Sequence, residues 1–277
     1  MTCWMREHPL LSFYLLALLF SWSVGIPLAF VGQGWTDISI PYWLHYLTSF
    51  GPALAGLILT AIISGRDGLR DLWSRITRWR VPEDYANFAL FSVPMLFFVV
   101  VFTRRFITGT CTSLRELAQV NYLPYLGWLV LPLWLLTFGY GEEIGWRGFA
   151  LPLLQKKMDA LKASLLIGAG WAFWHLPMFF YHKSYMNMDW FSVTGYVLGL
   201  LSASVVFTWL YNGTGGSVLM VAAWHALYDL FSSSSAGGGM LPIVLTLAVI
   251  AWALVLVVIK KPWGLMQQAR QVIPPED

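Results

Sequence analysis

The chain has 277 residues, of which 58% are hydrophobic, 17% aromatic and only 11% charged, and its mean hydropathy is +0.64. A soluble domain carries about 25% charged residues, so a chain this poor in charge cannot cover its own surface with polar groups and is read as solvated largely by lipid. A net charge of +3 argues against a nucleic-acid partner, and the isolated Cys3 and Cys111 imply neither a disulfide framework nor a zinc knuckle.

A helix needs about 20 apolar residues to cross the hydrocarbon core. In chain order, eight segments are expected to cross: Leu10–Val31, Leu44–Ile63, Tyr85–Thr103, Tyr125–Leu154, Leu161–Tyr181, Ser192–Tyr211, Ser217–Phe231 and Met240–Ile259. The first exceeds the roughly 7–15 residues of a signal h-region and lacks a small-x-small cleavage site, so a retained span is expected. The seventh is the shortest, set between an N-G-T-G-G turn and S-S-S-S-A-G-G-G. No internal repeat, soluble segment or nucleotide-binding glycine pattern appears. The expected fold is all-α: a polytopic membrane protein of about eight transmembrane helices in one bundle, residues 1–277 forming one domain with its motif core at about 125–232.

Lysine and arginine counts set the expected orientation. With both termini cytosolic, 13 of the 17 basic residues fall on the cytosolic side, leaving Arg104, Arg105, Arg115 and Lys183 outside. This predicts an integral plasma-membrane protein with cytosolic termini. The cytosolic set includes Arg66, Arg70, Arg75, Arg78, Arg80 and Arg147. Among the first five, Leu69, Leu72, Trp73, Ile76 and Trp79 recur at helical spacing, which predicts a basic amphipathic helix anchored on the cytosolic leaflet.

The fourth segment holds T-F-G-Y-G-E-E-I-G-W-R-G-F, so an uncharged apolar run leads into Glu142, Glu143 and Arg147. Ionisable groups inside a bilayer are costly and face a protein interior or a wet cavity. Two further sites stand on separate spans: His175 in G-W-A-F-W-H-L-P, and His225 with Asp229 in W-H-A-L-Y-D. Counted from Lys156, Lys162 and Gly215, at 1.5 Å per residue, Glu142, His175 and His225 lie about 21, 20 and 15 Å deep. A shared buried site requires such a common level. Glu143 and Arg147 are i,i+4 neighbours placed to pair, as are His225 and Asp229. If Glu143 takes Arg147, Glu142 is the carboxylate left to face the cavity. His8, His45 and His182 lie near span ends, where a histidine is tolerated at the interface, and receive no role.

A carboxylate facing a histidine can orient and deprotonate a water, and a second histidine can stabilise a tetrahedral oxyanion. The same set, Glu142, His175 and His225, could instead ligate a divalent metal such as zinc. Either leads to amide hydrolysis inside the membrane. No HExxH zincin motif and no GxSxG elbow occurs.

These residues resemble the CPBP family, the CAAX proteases and bacteriocin-processing enzymes, also called Abi. Its motifs EExxxR, FxxxH and HxxxN/D appear in order as E-E-I-G-W-R, W-A-F-W-H and H-A-L-Y-D, with Trp171 where the second pattern has phenylalanine. The likeness extends to G-P-A-L-A near Gly51 and T-W-L-Y-N-G-T-G-G-S at 208–217, so that it spans nearly the whole chain. The resemblance implies an eight-helix intramembrane bundle. It further implies Glu142 as general base, His175 helping to position the water, His225 and Asp229 as the oxyanion site, and Glu143 and Arg147 as supporting groups. An ionised Asp229 only accepts hydrogen bonds, so it would have to be protonated, orient His225 or belong to a metal site.

The family is described both as metalloprotease and as glutamate protease; metal-independent hydrolysis is expected here, with a zinc-like cofactor as the alternative. The expected partners are the bilayer and a peptide or membrane-protein substrate, prenylated CAAX proteins being one branch of the family. The competing classes are a non-catalytic immunity or scaffold protein and a proton-coupled transporter, for which no broken-helix repeat is visible.

Overall fold

Each apolar stretch expected from hydropathy is helical in a computed structural model that describes residues 2–109, 116, 126–237 and 239–264. Cys111, Arg115, Tyr125 and Arg270 lie outside the described residues. In chain order the helices are α1 (Pro9–Gly32), α2 (Tyr42–Ile76), α3 (Glu83–Thr108), α4 (127–155), α5 (Ala160–Phe180), α6 (Trp190–Gly213), α7 (Val218–Ser233) and α8 (Met240–Gly264). No strand occurs among the described residues.

Six of these helices, α1, α2, α3, α5, α6 and α8, are long and apolar enough to cross a membrane. The expectation of eight crossings is therefore met by six on length and composition among the described residues. The two that fall short carry the first and third polar motifs. Helix α7 has only 16 residues, about 24 Å, and α4 is broken into successive turns around its three charges. Apolar side chains such as Leu15, Phe91, Phe102, Leu247 and Val258 point outward from α1, α3 and α8, as lipid-facing surfaces require. Together these features make the chain an integral membrane protein.

Local chemistry starts the site-bearing helices. Asp159, Asp189 and Ser217 cap α5, α6 and α7, their side chains accepting from the backbone N–H groups of Lys162, Ser192 and Met220. Such caps satisfy donors that a helix start leaves without partners.

Glycine then lets α4 run through the middle of the bundle. A Cβ on Gly145 would overlap the Pro52 carbonyl of α2, and one on Gly139 would stand 2.8 Å from the Ala222 carbonyl oxygen of α7. Backbone-to-backbone contact of this kind is how helices associate where no hydrophobic force separates lipid from protein. Two stretches of α4, Leu135–Glu142 and Trp146–Ala150, are wound as π turns, a geometry common at functional sites.

The basic segment after the second span packs more closely than its spacing predicts. After a kink at Gly65, whose φ of 59° suits only glycine, α2 continues to Ile76 and packs on the bundle. Leu72 and Ile76 are buried in the main core, while Trp73 and Trp79 remain exposed. Arg75, counted above as a loop charge, is itself buried. It donates to Asp71, to the Gly148 carbonyl of α4 and to the Tyr211 hydroxyl of α6. Part of the apolar face of this segment thus meets protein, Leu72 lying against Gly148, where α4 has no side chain.

Candidate active site

The site is assembled from α4, α5, α6 and α7. Glu142, Glu143, Arg147, His175 and His225 are all buried, so none of them lies on the lipid face. Asp229 is the most accessible of the six, with 27% of its side chain exposed.

Glu143 and Arg147 meet as their spacing predicts, with Nη1 3.0 Å from the carboxylate. Both side chains are fully buried, and pairing is what makes such burial tolerable. Arg147 also donates Nη2 to the Ser204 hydroxyl at 3.1 Å, and Ser204 donates onward to the Ser164 carbonyl at 2.7 Å. The guanidinium stacks 4.5 Å from the Phe207 ring centre and 5.2 Å from that of Trp171. One arginine therefore ties α4 to α5 and α6.

Glu143 has a second partner that spacing alone did not show. Its Oε1 lies 3.0 Å from Nδ1 of His225, joining the first motif to the third. His225 Nε2 lies 3.5 Å from Asp229 Oδ2, so the imidazole sits between two carboxylates. A doubly protonated ring offers each an N–H.

Glu142 turns to a different neighbour. Its Oε2 accepts the indole N–H of Trp171 at 2.6 Å. The backbone carbonyl of the same Trp171 lies 2.8 Å from Nδ1 of His175. A carbonyl only accepts, so this bond places the proton on Nδ1 and leaves Nε2 with its lone pair in the neutral ring. The Trp171 ring stands edge-on to His225, with centres 5.3 Å apart, and 5.6 Å from His175. The three motif sites expected at one depth are thus linked through a single indole.

The sequence marks Trp171 only as a departure from the family pattern; its N–H makes it a polar partner. Ser204, Ser164 and Phe207 carried no sequence signal, being small or apolar residues in apolar helices. His45 and His182 differ from expectation: both are buried in protein, 5.4 Å apart between ring centres, and His45 Nδ1 is 2.9 Å from the Tyr181 hydroxyl.

A metal would need three or more grouped ligands. Among the described residues no three His, Cys, Asp or Glu side chains are grouped to hold one. Glu142 shares one oxygen with Trp171, and His225 faces Glu143 through Nδ1.

What the arrangement can do chemically follows from these bonds. A buried carboxylate held through one oxygen by the Trp171 indole, and a histidine held through Nδ1 by the carbonyl of the same residue, are groups of the kind that orient a water and take its proton.

Residues 124–231 match the family model described as Type II CAAX prenyl endopeptidase Rce1-like. A segment of 117 residues is 33% identical to CAAX prenyl protease 2 of Methanococcus maripaludis, covering 40% of this chain and 41% of that protein. The chain thus matches about two fifths of the length of this curated relative. Both matches bear on the part of the chain that carries the three motifs. With those motifs in order and brought together on neighbouring helices, they support the resemblance of this core, residues 124–231, to the CPBP family.

Proposed function

We propose that this protein is an intramembrane endopeptidase that hydrolyses a peptide bond of a membrane-associated substrate through water activated by Glu142 and His175. The observation that carries the reading is the contrast between adjacent carboxylates. Glu143 is occupied by Arg147 and His225, whereas Glu142 has one oxygen on Trp171 and the other open. In the proposed step, the water oxygen bonds to the substrate carbonyl carbon while Glu142 takes the water's proton. His225, held by Glu143 through Nδ1, turns its Nε2–H from Asp229, 3.5 Å away, to the developing oxyanion. Collapse of the tetrahedral species breaks the C–N bond, and the proton held by Glu142 passes to the leaving amine. Asp229 orients His225 and needs no donor of its own.

We read the hydrolysis as metal-independent, because among the described residues no three ligating side chains are grouped to hold an ion. A prenylated CAAX peptide is the first substrate to offer, since the archaeal relative bears the name of a CAAX prenyl protease. We take residues 1–277 as one membrane domain with cytosolic termini. A membrane-impermeant maleimide should therefore label exposed Cys3 only after the membrane is opened.

The decisive experiment uses purified protein in liposomes with prenylated and unprenylated peptides, before and after strong chelation. Cleavage by the wild type that survives chelation and vanishes in Glu142→Gln is the expected result. Activity silenced by chelators and restored by zinc would replace the glutamate mechanism with a metal one. A Glu142→Gln protein that keeps its cellular phenotype would point to a scaffold instead.

A further inference from the structure

Of all the side chains around the site, Trp171 touches the most of its working groups. Its indole N–H reaches Glu142 Oε2 at 2.6 Å, and its carbonyl accepts from His175 Nδ1 at 2.8 Å. Its ring meets His225 edge-on and backs against the Arg147 guanidinium. The residue is buried, so water does not compete for the indole N–H. A carboxylate left to itself rotates and presents either oxygen. A carboxylate with Oε2 pinned by a donor in a buried wall presents Oε1 alone. The phenylalanine of the family pattern fills similar space but has no hydrogen to donate, so packing does not explain the bond.

We propose that Trp171 is the positioning residue of this site. Its side chain fixes the Glu142 carboxylate, and its backbone fixes the tautomer and direction of His175, so that one residue aligns both groups on a single water. The inference rests on the reading of Glu142 as general base. It adds that the base is oriented by an indole rather than by an ionic partner, which leaves Glu142 without the cation that neutralises Glu143.

The test separates the N–H from the ring. Trp171→Phe removes the donor and part of the volume; replacing Trp171 with β-(3-benzothienyl)alanine exchanges N–H for sulfur while keeping the bicyclic shape. Loss of one hydrogen bond to a charged base should lower kcat about ten- to a hundred-fold. It should leave KM nearly unchanged, to a similar degree in both variants, with the fold retained. A merely structural ring would be rescued by the benzothienyl group. In protein carrying ¹⁵N-labelled indole, the Trp171 N–H resonance, assigned by its loss in Trp171→Phe, should move in Glu142→Gln. A benzothienyl variant with wild-type kcat, or a resonance that ignores Glu142→Gln, overturns the inference while leaving the peptidase reading intact. A wild type that cleaves no peptide overturns the general-base reading, and the catalytic role of Trp171 falls with it.

Discussion

Two buried arginines, Arg147 on α4 and Arg75 on α2, have the same local construction and different surroundings. Each pairs with a carboxylate four residues earlier, and each is nearly inaccessible. Every partner of Arg75 is structural: Asp71, the Gly148 carbonyl and the Tyr211 hydroxyl. Arg147 instead neutralises a carboxylate that also holds His225, and it lies against the indole that holds Glu142. The pair itself is therefore no sign of chemistry. What marks the central site is that the acid of the pair passes its orientation on to a titratable group.

The strongest way to break this comparison is at Glu142, which has no cationic partner. Glu142→Gln keeps size and an oxygen that can still accept from Trp171, so thermal stability in detergent should stay near wild type. Turnover should fall at least about a thousand-fold, since no base remains to take the water's proton. A Gln variant that cleaves at a tenth of the wild-type rate would move the base elsewhere in the site. In the active enzyme the rate should fall toward acid pH as Glu142 takes up a proton and loses its function as base.

The arginines come next. Arg147→Ala strands Glu143 in a fully buried position and should destabilise the protein by about 3–5 kcal/mol, with activity lost as the fold loosens around His225. A stable but inactive Arg147→Ala protein would assign Arg147 a direct part in catalysis. Arg75→Ala should destabilise by about 1–3 kcal/mol, because Asp71 is 15% exposed and remains in reach of water. The kcat of the folded fraction should change little. If Arg75→Ala removed activity from protein that melts normally, the division between a working pair and a bracing pair would fail.

Much of this was legible in the sequence, and the parts that were not share a cause. Hydropathy locates the helices because lipid imposes length and apolarity on each span. The i,i+4 rule finds Glu143 with Arg147 because helix geometry fixes that distance. Partners from other helices obey no spacing rule. Glu143 with His225, Arg147 with Ser204 and Arg75 with Tyr211 depend on how the bundle closes. Trp171 was visible as a departure from a pattern, but an indole in an apolar run reads as packing until its N–H is seen to point at a carboxylate. The segment after Gly65 shows the same limit of spacing. Amphipathic spacing gives an apolar face but does not say whether that face meets lipid or the glycine-lined side of α4.

The smallest expected effect comes from a third acid–base pair, at the rim of the same bundle. Asp159 caps α5, the helix that carries Trp171 and His175, and lies 3.2 Å from the ammonium of Lys162, whose side chain is 74% exposed. The ion pair, open to water on its lysine side, contributes little; the cap should carry about 1 kcal/mol, read as a lower melting point in Asp159→Ala. Its pH dependence has a definite sign. The bond from the Lys162 backbone N–H holds the Asp159 carboxyl below its ordinary value of 3.8. The native state thus favours the charged form, and the stabilisation is fully present above that value. It is lost as pH falls through the depressed value below it. The melting-point gap between wild type and Asp159→Ala should therefore be constant from neutral pH down to about pH 4 and close only under stronger acid. A gap that closed between pH 7 and 5 would show that another group sets the stability of α5, with His175 and His182 the first to examine.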